Sequence, residues 1–227
     1  MSIKRSISKF IKGVQYQSPL KKYLHHHYEY FFNPCELWYL CECIGRGLRA
    51  EGSFLEIGCA RGATTVFLNR HLDNELEKNP SLDDKAYHCI DTFSGFRDAQ
   101  VSFEIEQRSK RGADYSDYAL NDKKWFDQML VRNRISRVTT HEADAAEFDY
   151  GELGNLAFVL LDVDLYLPTK SALEKIYPLL GKGGILIVDD CKPDNKYDGA
   201  EQAFREFVSE NDIDSSIEFG KFGVIKG

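Results

Sequence analysis

No stretch of the 227-residue chain approaches the roughly 18 consecutive apolar residues needed to cross a bilayer, so no membrane span is expected. Zinc-ligand spacing is absent too: the six cysteines, Cys35, Cys41, Cys43, Cys59, Cys89 and Cys191, are scattered without a CxxC pair. Two of them sit in apolar strand-like runs, and all six read as reduced core thiols. A basic excess is lacking, since 29 Lys and Arg face 36 Asp and Glu for a net charge of −7. A duplex nucleic-acid binder needs a dominant basic face, so that class is not expected. The opening segment MSIKRSISKFIKG is charged but has neither the continuous apolar stretch nor the small-residue cleavage site of a signal peptide, and a cytoplasmic location follows as the expectation.

What is present is the composition of a folded globule, 43% hydrophobic and 13% aromatic, in a chain long enough to bury a proper core as one domain. Residues 1–50 read as an N-terminal helical region, a cap or an oligomer contact. Within it Ile3, Ile7, Phe10, Ile11 and Val14 fall at helical spacing with Lys4, Arg5, Lys9 and Lys12 between them, predicting a basic amphipathic helix over 2–14. So short and weakly apolar a stripe is expected to pack on its own domain or on a partner subunit rather than on a membrane surface. Residues 23–46 are rich in aromatics (Tyr23, Tyr28, Tyr30, Phe31, Phe32, Trp38, Tyr39) and read as helical segments broken at Asn33-Pro34. The run His25-His26-His27 is not expected to hold a metal, because adjacent helical positions point about 100° apart.

From residue 51 to 227 apolar runs alternate with polar helical stretches, the pattern of βαβ units and a parallel sheet. Strands are predicted at 53–58, 86–91, 137–142, 156–163, 185–190 and about 217–225, with helices near 63–78, 122–133, 169–180 and 199–210. The charged span from Arg97 to Asp122, containing Gly112, fits neither pattern. Ligands of a doubly wound sheet bind outside the carboxyl ends of its strands, so an insertion at about 97–122 is placed to be a lid.

Three constellations carry chemistry. In Glu56-Ile57-Gly58-Cys59-Ala60-Arg61-Gly62 an apolar strand runs into a small-residue turn and then a helix, whose free N–H groups and glycines let a ligand approach the backbone. Ala60 stands where a dinucleotide fingerprint wants its middle glycine, and the acid expected about 20 residues on is missing. The pattern E-x-G-x-x-x-G with Asp91 at the next strand end favours S-adenosylmethionine: Asp91 would accept the ribose hydroxyls, and Glu56 would face the cationic amino-acid end. After the third strand, Asp144, followed by Ala145, either accepts from the adenine amino group or caps a turn. The third constellation joins Asp162 and Asp164, after the run FVLL, to Asp189 and Asp190, after ILIV. Four carboxylates at one sheet edge repel unless a cation or shared protons compensate, and all-oxygen ligands point to Mg²⁺. Capping by Asp164 and loop hydrogen bonding by Asp190 are the plainer alternative.

The run from Phe54 through Asp91-Thr92-Phe93-Ser94-Gly95-Phe96, then Leu161-Asp162-Val163-Asp164-Leu165-Tyr166, Thr169, Ala172-Leu173, Tyr177-Pro178, Gly183-Gly184 and Val188-Asp189-Asp190, resembles the macrocin O-methyltransferase family over about residues 50–210. The resemblance implies a class I methyltransferase (Rossmann-like) α/β fold: a seven-stranded, mostly parallel sheet with helices on both faces and the last strand antiparallel. It implies Mg²⁺-assisted methylation of a sugar hydroxyl, with Asp162, Asp189 and Asp190 as metal ligands, a triad similar in its logic to that of catechol O-methyltransferase. Cofactor contacts are then expected from Glu56, Gly58, Cys59, Ala60, Gly62, Asp91, Thr92, Asp144, Ala145 and Asp162. Either Asp162 or Asp164 would take the proton, with His141 a weaker candidate. The expected partner is a small-molecule acceptor with a hydroxyl, and the N-terminal region is a possible homo-oligomer contact. Two other readings stay open: a metal-independent methyltransferase working by proximity, and a non-catalytic subunit that binds S-adenosylmethionine.

Overall fold

Two runs of β-branched and leucine side chains dictate the centre of the molecule. Leu156–Leu161 (β4) is buried at every position and the Ile185-Leu186-Ile187-Val188 end of Leu180–Val188 (β5) likewise, as strands covered on both faces must be. Around them lie Ser53–Ile57 (β1), Tyr87–Asp91 (β2), Val138–Glu142 (β3), Ser215–Glu218 (β6) and Phe222–Lys226 (β7), in the sheet order β3-β2-β1-β4-β5-β7-β6. In this computed structural model residues 3–19, 28, 30–110, 115, 116, 118, 119, 121–193 and 196–227 are described. Tyr23, the run His25-His26-His27 and Gly112 lie outside them.

The first five strands pair in parallel, and β7 runs antiparallel to both β5 and β6. Helices Ala63–Lys78 (α3), Lys123–Arg132 (α5), Tyr166–Ile176 (α6) and Gly199–Glu210 (α7) cover the two faces. The order reverses between β1 and β4, so the crevice outside their carboxyl ends is the switch point where such sheets bind ligands.

The single strand expected at 217–225 is a hairpin. Phe219 and Gly220 both take left-handed backbone (φ 54° and 67°) in the three-residue connection 219–221, which Lys221 N–H closes onto Glu218 C=O at 3.1 Å. The span 97–122 contains a helix, Asp98–Glu106 (α4), which the sequence pattern did not announce.

By contacts the chain divides into Met1–Phe31 and Phe32–Gly227. The first unit holds helix Ile3–Gln17 (α1), whose apolar residues Ile7, Phe10, Ile11 and Val14 are exposed. The second begins with Pro34–Gly47 (α2), closed at its start by a reciprocal cap: the Asn33 side chain accepts from the Cys35 and Glu36 amides while Glu36 Oε2 accepts from Asn33 N–H at 2.7 Å. With Leu37, Leu40 and Ile44 buried, α2 packs against α3, β4 and β5. It is thus part of the sheet-bearing unit, whereas the sequence division at residue 50 placed it in the N-terminal region. All six cysteines are free, and all but Cys35 are buried.

Candidate active site

The turn after β1 is shaped by two close approaches. A Cβ on Gly58 (φ 85°) would lie 1.6 Å from the Asp162 carbonyl oxygen, and one on Gly62 (φ 81°) would lie 2.1 Å from Met129 Cε. At Gly58 the neighbour is rigid backbone, so only glycine fits, while at Gly62 the methionine can give way and the left-handed backbone is what favours glycine. Gly62 caps α3, leaving that helix's first amides without a side-chain acceptor. Between the glycines Ala60 takes φ 45° and donates its N–H to Asp91 Oδ2 at 2.8 Å, while Phe93 N–H donates to Asp91 Oδ1 at 2.7 Å. Asp91 is thereby fixed against the turn, and each of its oxygens keeps a lone pair for another donor. Burial raises its pKa, and the two amides act in the opposite direction. The neighbouring Thr92 hydroxyl donates to Gly95 C=O at 2.6 Å, shaping the loop.

Glu56 sits inside the sheet rather than at the surface of the turn. It is 2% exposed, accepts from Tyr87 O–H at 2.5 Å, and its pKa is pushed up to about 7 by burial. Cys59 is buried as well, its thiol held above the ordinary range chiefly by desolvation and by Cys89. Ala145 is buried, its carbonyl accepting from Tyr150 O–H at 2.8 Å.

Asp144 caps the turn that follows it, accepting from Ala146 N–H at 2.8 Å. Its carboxylate also receives the Gln100 amide, at 3.0 Å and 2.9 Å to its two oxygens, with Arg97 at 3.6 Å. Thus α4 supplies from protein the kind of donor that an adenine amino group would offer. At its other end Glu104, 2% exposed, accepts from Tyr166 N–H at 2.7 Å and pairs with Arg108. Arg108 in turn reaches Asp198 at 2.9 Å, which Lys110 also joins. This network ties the insertion to the first residues of α6 and α7, the helices that follow the two acid-bearing strand ends. Further along, Asn121 donates to Ala60 C=O at 2.8 Å.

At those strand ends Asp164 and Asp190 both adopt left-handed backbone, φ 62° and 56°. Burial and the mutual repulsion of the acids raise the pKa of Asp162 and of Asp164 far above the ordinary carboxylate range; Asp164 also shares a hydrogen bond with Asp190. Asp189 is 5% exposed, and burial pushes its pKa up to about 7 although Lys221 opposes the rise. The Lys221 ammonium lies 2.9 Å from Asp189 Oδ1 as an ion pair.

Sequence reasoning expected Asp162, Asp189 and Asp190 to share one ion. The carboxylates do share a neighbourhood, yet among the described residues no three His, Cys, Asp or Glu side chains gather as a metal site. Part of their charge is compensated from within instead: Lys221 stands beside Asp189, and Asp164 is hydrogen-bonded to Asp190. The chemistry of the donor set, crowded oxygens short of positive charge, still suits a hard divalent cation. His141 is elsewhere, three strands from β4, with its Nε2 3.2 Å from His88 Nδ1.

Over the acids stands an aromatic group that the sequence did not announce. Phe96 packs against Tyr115, Tyr118 and Tyr197 with ring centroids 6.0, 5.5 and 5.7 Å away. Burial raises the pKa of Tyr118, and the nearby Asp164 and Asp162 act in the same direction. These rings come from three separate loops, so only the fold reveals the cluster. The signal available was the density of tyrosines between 115 and 118.

A model of the family described as macrocin-O-methyltransferase (TylF) matches residues 40–222. Among solved structures the chain is similar to CalS11, a calicheamicin methyltransferase, at 20% identity over 100% of this chain and 93% of that one, with a TM-score of 0.68. The apo form of CalS11, described as a TDP-rhamnose 3'-O-methyltransferase of calicheamicin biosynthesis, gives 21% identity over 94% and 86% of the two chains and a TM-score of 0.58. The O-methyltransferase NovP gives 17% identity, coverage of 84% and 78%, and a TM-score of 0.65. At such identities the likeness is one of fold. No curated protein matches.

Proposed function

Because the chain belongs to the macrocin O-methyltransferase family and is therefore an S-adenosylmethionine-dependent methyltransferase, we propose that its acceptor is a hydroxyl of a sugar or other small-molecule natural product. The observation that carries the cofactor's place in this reading is Asp91, clamped by two backbone amides at the lip of the glycine turn with acceptor capacity to spare. A carboxylate so placed takes both ribose hydroxyls, and the free N–H groups at the start of α3 take the cofactor's carboxylate. Gly58, Ala60 and Gly62 admit the cofactor to the backbone, Thr92 and Ala145 shape the loops beside it, and Asp144 exchanges Gln100 for the adenine amino group. Glu56 and Cys59 support the turn from inside the sheet.

The acceptor hydroxyl oxygen attacks the methyl carbon, the carbon–sulfur bond breaks, the sulfonium becomes the thioether of S-adenosylhomocysteine, and the hydroxyl proton passes to a carboxylate. We assign that base to Asp162, whose backbone abuts Gly58 and whose basicity is raised by burial and by the neighbouring acids Asp189, Asp164 and Asp190. Asp162, Asp189 and Asp190 are the residues that would hold Mg²⁺, which when bound supplies positive charge that makes a nearby hydroxyl easier to ionise. The rings of Phe96, Tyr115, Tyr118 and Tyr197 offer flat faces on which a sugar or aromatic ring rests. CalS11, described as a TDP-rhamnose 3'-O-methyltransferase, supports that acceptor class.

The test is thermal denaturation with candidate ligands. S-adenosylhomocysteine at a hundredfold excess over its Kd stabilises the folded state by about 2.7 kcal/mol, and NADH leaves it unchanged. Stabilisation by NADH instead would refute the cofactor assignment. Methyl transfer to a panel of glycosides, with and without EDTA, then separates the metal-assisted reading from proximity alone.

A further inference from the structure

One segment of this acidic protein is purely basic. Residues 1–28 hold six of the 29 Lys and Arg and none of the 36 Asp and Glu, so the rest of the chain sets 23 basic residues against all 36 acids. Within that segment α1 keeps an apolar stripe at Ile7, Phe10, Ile11 and Val14, spaced to one side of the helix, and these residues are 54%, 73%, 50% and 53% exposed. Lys9 and Lys12 fall on the opposite side at about 100° per residue. Tyr16, Tyr28 and Phe31, in the same compact unit, are exposed too.

A second copy of the helix is a poor match for this face. Pairing would bring two wholly basic helices together, and the stripe spans less than two heptads where a coiled coil needs three or four. An anionic lipid surface fits both features, taking the stripe into the headgroup boundary while the lysines meet lipid charge. Against the packing on its own domain or a partner subunit expected from the sequence, and because the stripe is exposed, we propose that α1 is a reversible anchor that lies in the surface of an anionic bilayer, recruiting the enzyme to it. The helix is too short to be stable alone in water, and Gly13 weakens it further, so the lipid surface also completes its folding. This inference is independent of the acceptor assigned above.

Flotation of the full-length protein with vesicles tests it. Binding to phosphatidylcholine vesicles containing phosphatidylglycerol should exceed binding to pure phosphatidylcholine by at least about tenfold, and should fall steeply as salt is raised. The Lys9→Gln/Lys12→Gln and the Phe10→Ser/Ile11→Ser proteins should each bind at least about tenfold more weakly, with S-adenosylhomocysteine binding unchanged. Equal binding to both vesicle types, or binding to neither, overturns the proposal. A concentration-dependent dimer that Phe10→Ser/Ile11→Ser dissolves, without vesicle binding, overturns it in favour of a second copy.

Discussion

At Gly58 and Gly220 the same backbone sign has different consequences. An added methyl at Gly58 meets the Asp162 carbonyl at 1.6 Å, whereas one at Gly220 meets nothing within 4 Å. Gly58→Ala should therefore lower stability by about 3 kcal/mol or more, and Gly220→Ala by only about 1 kcal/mol, as chemical denaturation would measure. Glu56 offers a pH signature. Its folded pKa of about 7 stands above its ordinary 4.5, so folding binds a proton there; the stability this brings is complete below pH 4.5 and lost as pH rises through 7. Between pH 5 and 8 the wild type should lose roughly 2–3 kcal/mol that Glu56→Gln does not, so a pH slope equal in the two proteins would contradict the assignment. Residue by residue, the turn glycines and the Asp91 strand end were legible because spacing alone determines them. The partners were not: nothing in the sequence links Asp144 to Gln100, or Asp189 to Lys221, because those contacts are made across loops distant in sequence.

Among the elements, those whose apolar pattern agrees with their environment were legible. Helices α3 and α7 begin and end where the pattern and its flanking residues place them, and β4 announces itself by an unbroken apolar run. Helix α4 was not legible, because Val101, Phe103 and Ile105 alternate as in a strand. Tertiary contacts override that pattern: Phe103 stacks on Tyr166 at 5.5 Å, and Glu104 accepts the amide at the start of α6. Removing that carboxylate leaves the Tyr166 N–H and Arg108 without their shared partner. Glu104→Ala should cost about 3 kcal/mol, and amide hydrogen exchange across 98–106 should accelerate well beyond that of α3. Uniform exchange in the two helices would show that α4 is held by other contacts. The hairpin of β6 and β7 escaped notice because its connection is Phe219-Gly220-Lys221 rather than the Asn-Gly that usually signals one.

Over the whole molecule, the chain folds so that acids from two strand ends, a glycine turn from a third and a carboxylate from a fourth meet at one edge of the sheet. That convergence follows from the order reversal between β1 and β4, which sets β2 and β5 on either side of the crevice. It makes Asp91 the point at which fold and chemistry are joined most tightly. Titration calorimetry with S-adenosylhomocysteine on the wild type and on Asp91→Ala measures this directly. Hydrogen bonds to a charged group are each worth about 1.5–3 kcal/mol, so the variant should bind at least roughly 30-fold more weakly while remaining folded. A dissociation constant unchanged by the substitution would place the cofactor's ribose elsewhere and contradict the account.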